Sequence, residues 1–128
     1  MNIRIVTYVL GILLVLEGLG LIPPFLISLY HRENAASAFG ACIVISIIIG
    51  FCMSRIPVHH NKIKVKEGFC IVSFGWILVS IIGALPFVFS GSIPSFIDAF
   101  FESVSGFTTT GATLVNDVES LPYGILFW

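Results

Sequence analysis

A polar segment near the C-terminal end of the chain, residues 107–113, has residue types that could bind a cation. It has the sequence Phe-Thr-Thr-Thr-Gly-Ala-Thr. Threonine is β-branched and glycine costs about 1 kcal/mol relative to alanine in a helix, so this run favours extended backbone. Carbonyl oxygens of such backbone, turned toward a common axis, can replace the hydration shell of a monovalent cation. Gly111 allows backbone dihedral angles that a β-branched residue resists.

A short helix is predicted directly before this segment, at residues 95–105. Ser95 and Asp98 have the spacing of a capping box, and Gly106 is a natural helix stop. These eleven residues would rise about 16 Å, roughly half of a 30 Å hydrocarbon core. The helix could therefore enter a bilayer without crossing it, and its partly negative C-terminal end would favour a cation. The residues leave open an alternative, an amphipathic helix and a polar loop outside the membrane.

The composition places the chain in a membrane. Of its 128 residues, 57% are hydrophobic and only 10% are charged, against about 45–50% and 25% in a soluble domain. So few charges could not keep a soluble surface hydrated, which excludes an ordinary soluble enzyme, a secreted disulfide scaffold and a disordered tail. A nucleic-acid binder is excluded as well, because the sequence has no basic face that could neutralise phosphates.

No catalytic or metal-ligand set is visible in the sequence. Cys42, Cys52 and Cys70 are odd in number and lie in separate apolar runs, which is typical of buried apolar residues. His59 and His60 are adjacent and lack a third ligand at helical spacing, so we interpret them as a surface pair. We therefore expect no enzymatic activity and no cofactor.

Three apolar segments predict transmembrane helices, so the predicted fold class is all-α integral membrane. Residues 5–30 are apolar except for Glu17, residues 35–54 carry no charge, and residues 68–89 form a third uncharged helix before a turn. A carboxylate at the middle of a bilayer costs at least a few kcal/mol. We expect Glu17 to face protein, as a helix contact or, alternatively, as a proton or cation site.

Basic residues predict the orientation of these spans. Five of the six lie at the N-terminus or around the link between the second and third spans, namely Arg4, Arg55, Lys62, Lys64 and Lys66. The region 91–119 has none and carries the acids Asp98, Glu102, Asp117 and Glu119. The positive-inside rule predicts a cytoplasmic N-terminus and 57–67 loop, with 91–119 facing outward and its last two acids at an outer mouth.

The stretch from Phe100 to Thr113 closely resembles the first pore loop of the TrkH potassium-uptake proteins, members of the Trk/Ktr/HKT superfamily. Its sequence is Phe-Phe-Glu-Ser-Val-Ser-Gly-Phe-Thr-Thr-Thr-Gly-Ala-Thr. The segments 11–23 and 121–128 are also similar to that family, so the resemblance covers essentially the whole chain. Family chains are several times longer, with an extra N-terminal helix pair and four helix–pore loop–helix repeats that surround one filter.

The resemblance implies a domain organisation. Residues 1–56 resemble the N-terminal helix pair, 57–67 a basic cytoplasmic loop, and 68–128 an incomplete first repeat. Within that repeat it implies a helix at 68–89, a re-entrant pore helix at 95–105, an extended filter strand at 107–113 and the start of the next helix at 120–128. The chain stops inside an apolar run, so we expect the N-terminal fragment of a transporter that does not conduct alone.

The resemblance also implies roles for individual residues. Potassium, the transported substrate, would be held by the carbonyl groups of Thr109, Thr110, Gly111 and Ala112, with Gly111 at the selectivity glycine of the family. Support of the filter is expected from Glu102, Ser105, Thr108 and Thr113. For Glu102, the alternative is a like-charged pair with Asp98 on a hydrated helix face.

Location and partners follow from the same resemblance. It implies the bacterial inner membrane, a homodimer in the lipid bilayer and a cytosolic nucleotide-binding regulatory subunit similar to TrkA. We expect no nucleic-acid partner. A different class of function stays open beside it. The chain could be a small non-conducting helical membrane protein that only packs against partners.

Overall fold

The computed structural model describes residues 2–59, 62–113, 116 and 121–128. These residues form helices and no strand, so the predicted all-α class is confirmed. The helices are α1 (Ile3–Gly20), α2 (Ile22–Tyr30), α3 (Ala35–Ser54), α4 (Val65–Phe89), α5 (Phe96–Phe107) and α6 (Tyr123–Phe127).

Helices α1 and α2 form one nearly continuous span. Leu21 separates them, and its amide donates to the carbonyl oxygens of Glu17 and Gly18 at 3.0 and 3.3 Å. The two prolines of α2 lie in its first turn, where the missing N–H groups cost little. Among the described residues, three helical segments are long and apolar enough to cross a membrane: Ile3–Tyr30, Ala35–Ser54 and Val65–Phe89.

Helices α1 and α3 approach each other closely where glycine faces glycine. A Cβ atom added at Gly11 would lie 2.7 Å from the Gly50 carbonyl oxygen, and one added at Gly50 would lie 2.7 Å from the Gly11 carbonyl oxygen. Such distances are closer than real Cβ atoms come. The two backbones can therefore be in contact only because neither residue has a side chain.

The main buried cluster joins the two short helices to the spanning ones. It contains residues from α3, α4, α5 and α6 and from the turns between helices: Leu21, Ala35, Phe39, Cys42, Ala84, Phe87, Ile93, Ala99 and Ile125. Close packing continues between α4 and α5, because a Cβ atom at Gly83 would lie 2.6 Å from Ser103 Oγ and 2.7 Å from the Phe107 ring. Helices α5 and α6 are therefore packed against the bundle.

Helix α4 begins at Val65, three residues before the predicted start at Gly68. The cause is Glu67, which is only 3% exposed. Its carboxylate accepts hydrogen bonds from the amide of Lys64 at 2.8 Å and from the amide of Asn2 at 2.7 Å. One acid thus satisfies amides at the starts of both α4 and α1, which extends α4 and links the two helices.

Helix α5 occupies Phe96–Phe107 instead of the predicted 95–105. Ser95 is its N-cap residue, but its side chain makes no capping hydrogen bond, so that half of the predicted capping box is wrong. Gly106 does not stop the helix, because the amide and hydroxyl of Thr108 both donate to the Val104 carbonyl, at 2.9 and 2.7 Å, and close one more turn. The helix after the loop begins at Tyr123.

Replacing Gly50 with alanine should destabilise the detergent-solubilised protein by about 1–3 kcal/mol, because the added methyl group overlaps the α1 backbone. The matched control is Gly20→Ala, since nothing lies within 4 Å of a Cβ atom there. Thermal unfolding of the purified variants measures both effects. Equal unfolding temperatures for the two variants would show that the α1–α3 contact does not depend on glycine.

Candidate functional site

The polar segment after α5 reverses direction within one turn of the helix end. Thr108 and Thr109 form a turn, and residues 110–113 have no regular secondary structure. The amide of Thr109 donates to the Gly106 carbonyl at 3.2 Å, and the amide of Thr110 donates to the Ser105 carbonyl at 3.0 Å. The predicted extended strand over 107–113 is therefore wrong in its first part, because these bonds close the helix end instead of extending the chain.

Two residues of the segment have left-handed backbone conformations. The φ angle is +57° at Thr109 and +78° at Gly111. For a β-branched residue such as Thr109 this region is strained, and strain of this kind concentrates at functional sites. At Gly111 nothing lies within 4 Å of an added Cβ atom. Glycine is therefore required there by the dihedral angle rather than by lack of space.

Side-chain hydrogen bonds hold the segment against α5. Ser105 Oγ donates to the Ala112 carbonyl oxygen at 2.5 Å, and Thr113 Oγ1 donates to Glu102 Oε1 at 2.7 Å. The hydroxyl of Thr108 lies 2.8 Å from that of Thr110. The structure thus brings the four predicted support residues together with the loop, which is folded back along the helix.

The predicted ion-binding residues lie on the open side of this arrangement. Thr109, Thr110, Gly111 and Ala112 are exposed, whereas Ser105 behind them is buried. One of the four carbonyl groups has a second role, because the Ala112 oxygen already accepts a hydrogen bond from Ser105 Oγ. A carbonyl oxygen has two lone pairs, so that bond leaves one of them available to a ligand.

A cavity of about 240 Å³ lies between the loop, α5 and α6. Its walls include the polar residues Glu102, Ser105 and Thr113, together with Gly111 and the Trp128 ring. The indole Nε1 of that tryptophan donates to the Gly83 carbonyl at 3.0 Å. Trp128, the residue after α6, therefore lines the cavity beside the loop and bonds the end of this helix to α4.

The start of α6 is held by a residue that sequence reasoning missed. Both oxygens of Glu33, in the turn between α2 and α3, accept backbone hydrogen bonds: Oε1 from the amide of Tyr123 at 2.6 Å and Oε2 from that of Gly124 at 3.2 Å. In the sequence, Glu33 only offsets the charge of Arg32. Its partners lie 90 and 91 residues away, and the one available signal was an isolated acid at the end of a span.

Glu17 does face protein, as expected from the sequence. It is 8% exposed, and its carboxylate oxygens have no hydrogen-bond partner among the described residues. It lies in α1, whereas the loop follows α5. The part of the chain that the structure describes contains no group of three His, Cys, Asp or Glu residues that could hold a metal ion. His60, Asp117 and Glu119 lie outside the described residues.

Ser105→Ala should loosen the loop without disturbing the helix. Loss of one hydrogen bond worth about 1 kcal/mol should raise hydrogen exchange at the Thr109 and Thr110 amides about fivefold. Ser103→Ala is the matched control, because Ser103 is also buried in α5 and its hydroxyl has no partner among the described residues. Exchange measured by mass spectrometry should rise only in Ser105→Ala, and equal exchange in both variants would contradict the assigned bond.

Comparison with known proteins agrees with this geometry. The family model for TrkH, cation transport protein, matches residues 36–128. The Trk system potassium uptake proteins TrkH and TrkG of Escherichia coli are 42% and 36% identical to the chain, over 100% and 99% of its length. They are named as transport proteins rather than enzymes.

Comparison with solved structures gives the same relationship. The crystal structure of the potassium transporter TrkH from Vibrio parahaemolyticus matches 99% of the chain with a TM-score of 0.90 and 34% identity. The chain spans about a quarter of these relatives, 27% of the Escherichia coli proteins and 28% of the Vibrio chain. The resemblance seen in the pore-loop residues is therefore confirmed, and the chain belongs to the TrkH family of cation transport proteins.

Proposed function

We propose that this chain forms the N-terminal part of a potassium transporter and supplies one of four loops around its selectivity filter. The observation that carries the proposal is the loop at residues 108–113, folded back on a short helix by the Ser105–Ala112 and Thr113–Glu102 hydrogen bonds. The relatives that match the chain are named as potassium uptake proteins, which supports potassium as the transported ion.

In this proposal α5 is a re-entrant pore helix. Its 12 residues rise about 18 Å, which is too short for a 30 Å hydrocarbon core. The helix packs on α4, and Asp98 in its first turn complements the positive end of the helix dipole. The opposite end, where the loop begins, has the partial negative charge that favours a potassium ion.

The loop would bind dehydrated potassium through backbone oxygens. Carbonyl groups of Thr109, Thr110, Gly111 and Ala112 would replace water around the ion, and three further loops would complete the ring. In a regular strand successive residues face opposite sides. Positive φ angles at Thr109 and Gly111 interrupt that alternation, which supports carbonyl groups of neighbouring residues facing one axis.

The support residues would keep these oxygens in place when the ion leaves. Non-helical backbone at membrane depth is tolerated only where protein or a water-filled cavity satisfies it. Ser105, Thr108 and Thr113 supply hydroxyl groups for this purpose, and Glu102 accepts a hydrogen bond from the Thr113 hydroxyl. The carboxylate of Glu102 would also raise the local concentration of cations.

The proposal includes an orientation and partners. The basic residues around the α3–α4 link favour a cytoplasmic N-terminus, with α5 entering from the outer side. The bacterial inner membrane is proposed from the family resemblance. A homodimer and a cytosolic nucleotide-binding subunit similar to TrkA are proposed from the family resemblance. The relatives are named as proteins of a Trk system, which supports an assembly of several components.

A chimaera tests the proposed function. Residues 1–128 replace the matching quarter of Escherichia coli TrkH, and growth on low potassium is measured in an uptake-deficient strain. The chimaera should restore growth, whereas the 128-residue chain alone should not, since one loop is about a quarter of a four-loop filter. Growth with the chain alone would contradict the proposal, as would a chimaera that reaches the membrane and transports nothing.

The filter assignment is tested by Gly111→Ala in the same transporter. Alanine at a φ of +78° costs about 1–2 kcal/mol, so the preference for potassium over sodium should fall about 5- to 30-fold. Gly106→Ala is the matched control, because nothing lies within 4 Å of a Cβ atom there and the residue is helical. Radioactive rubidium uptake with sodium as competitor measures the preference, and parental behaviour of Gly111→Ala would exclude the assignment.

The alternative of a non-conducting packing protein predicts a different result for a third variant. Replacing Thr109 and Thr110 together by valine should then leave ion flux unchanged. In the proposed transporter this double substitution should lower both uptake and selectivity.

A further inference from the structure

The turn between α2 and α3 is built to hold one carboxylate in a fixed place. The amide of Glu33 donates to the Ser28 carbonyl at 2.9 Å, and the Glu33 carbonyl accepts from the amide of Ala36 at 3.2 Å. Arg32, the residue before it, has a left-handed backbone with a φ of +54°. The side chain of Glu33 therefore extends from a backbone that is bonded on both sides.

This carboxylate binds the beginning of α6 with both of its oxygens. The first amides of a helix have no partner inside the helix, and Glu33 accepts two of them, from Tyr123 and Gly124. Hydrogen bonds to an ionised acceptor are about twice as strong as neutral ones. A carboxylate is needed for this, since a carboxamide at the same position offers only one oxygen.

Two further contacts fix the same point. The His31 ring stacks on the Tyr123 ring with 4.2 Å between centroids and 27° between planes. A Cβ atom added at Gly124 would lie 2.8 Å from the Pro24 carbonyl oxygen, so α6 touches the backbone of α2. Ile125, the next residue, belongs to the main buried cluster. These contacts together fix the position of the start of α6 on the N-terminal helices.

The position at which α6 begins matters because the proposed filter loop lies between α5 and α6. The proposed filter follows α5 directly and is bonded to it through Ser105 and Glu102. The chain must then reach α6 at Tyr123, where Glu33 holds it. The connection between α5 and α6 is therefore held at both ends. The hydrogen bonds to α5 hold the end that contains the proposed filter, and Glu33 of the N-terminal helices holds the start of α6.

We propose that Glu33 is a positioning residue for the ion filter, acting through the start of α6. The inference rests on the proposed function. The Glu33 carboxylate accepts hydrogen bonds from the amides of Tyr123 and Gly124 at the start of α6. Its carboxylate fixes where α6 begins, and so how closely the filter carbonyl groups approach the ion. The N-terminal helix pair thereby sets selectivity from outside the repeat.

Selectivity of the full-length transporter tests this role. In Glu33→Gln, which keeps the size of the side chain, the potassium-over-sodium ratio of rubidium uptake should fall at least threefold, with a raised KM for potassium. Glu67→Gln is the matched control, because that carboxylate also accepts two backbone amides, at the starts of α1 and α4. It should lower thermal stability and leave the selectivity ratio within twofold of the parent.

A second variant removes the donor of the hydrogen bond between the Tyr123 amide and the Glu33 carboxylate. Tyr123→Pro deletes the amide, and proline fits because Tyr123 is the first residue of α6 and Pro122 already has φ −54° and ψ 146°. Tyr123→Leu deletes only the ring. The proline variant should reproduce the selectivity change of Glu33→Gln, and the leucine variant should show a smaller selectivity change. In the double variant Glu33→Gln/Tyr123→Pro, the selectivity change should not exceed that of the more strongly affected single variant.

The outcomes separate the two proposals. If the parent protein does not transport potassium, the proposed function fails. If the parent is selective and both Glu33→Gln and Tyr123→Pro keep its ratio within twofold, the proposed function stands and the role of Glu33 is wrong. Loss of all transport in both variants at parental protein levels, with Glu67→Gln active, supports the positioning role.

Discussion

Backbone groups that leave a helix inside a bilayer must be bonded to protein or water, and in the proposed pore loop this constraint governs the chain after α5. The loop at residues 108–113 meets it by returning along the helix from which it came. Hydroxyl groups of Ser105 and Thr113 and the carboxylate of Glu102 supply the bonds. The proposed ion site depends on them, because carbonyl groups can face a cation only while their backbone is held from behind.

The rest of the molecule positions the helix that carries this loop. Contact between Gly11 and Gly50 lets α1 and α3 form a tight pair, and the buried cluster joins that pair to α4, α5 and α6. Two acids work alike at opposite ends of the first span. Glu67 bonds the starts of α1 and α4, and Glu33 bonds the start of α6. Each charge is placed where helix amides have no partner of their own.

Composition and local pattern were sufficient for the spans and for the short helix, because both depend on hydropathy and length. Features that depend on distant contacts could not be read from the sequence. Glu67 accepts a hydrogen bond from an amide 65 residues away, at the start of α1, and Glu33 accepts one from an amide 90 residues away. Ser95 had the right type and spacing for a cap, yet its hydroxyl makes no such bond. The left-handed conformation of Thr109 runs against the preference of a β-branched residue.

Anomalous X-ray scattering can show whether the carbonyl groups of residues 109–112 bind the transported ion. Crystals of the full-length transporter grown in rubidium would locate the ion without reference to activity. We expect an anomalous peak within direct coordination distance of the Thr110 and Gly111 carbonyl oxygens, absent from crystals grown in sodium alone. Rubidium bound elsewhere in the protein, with no peak at these oxygens, would contradict it.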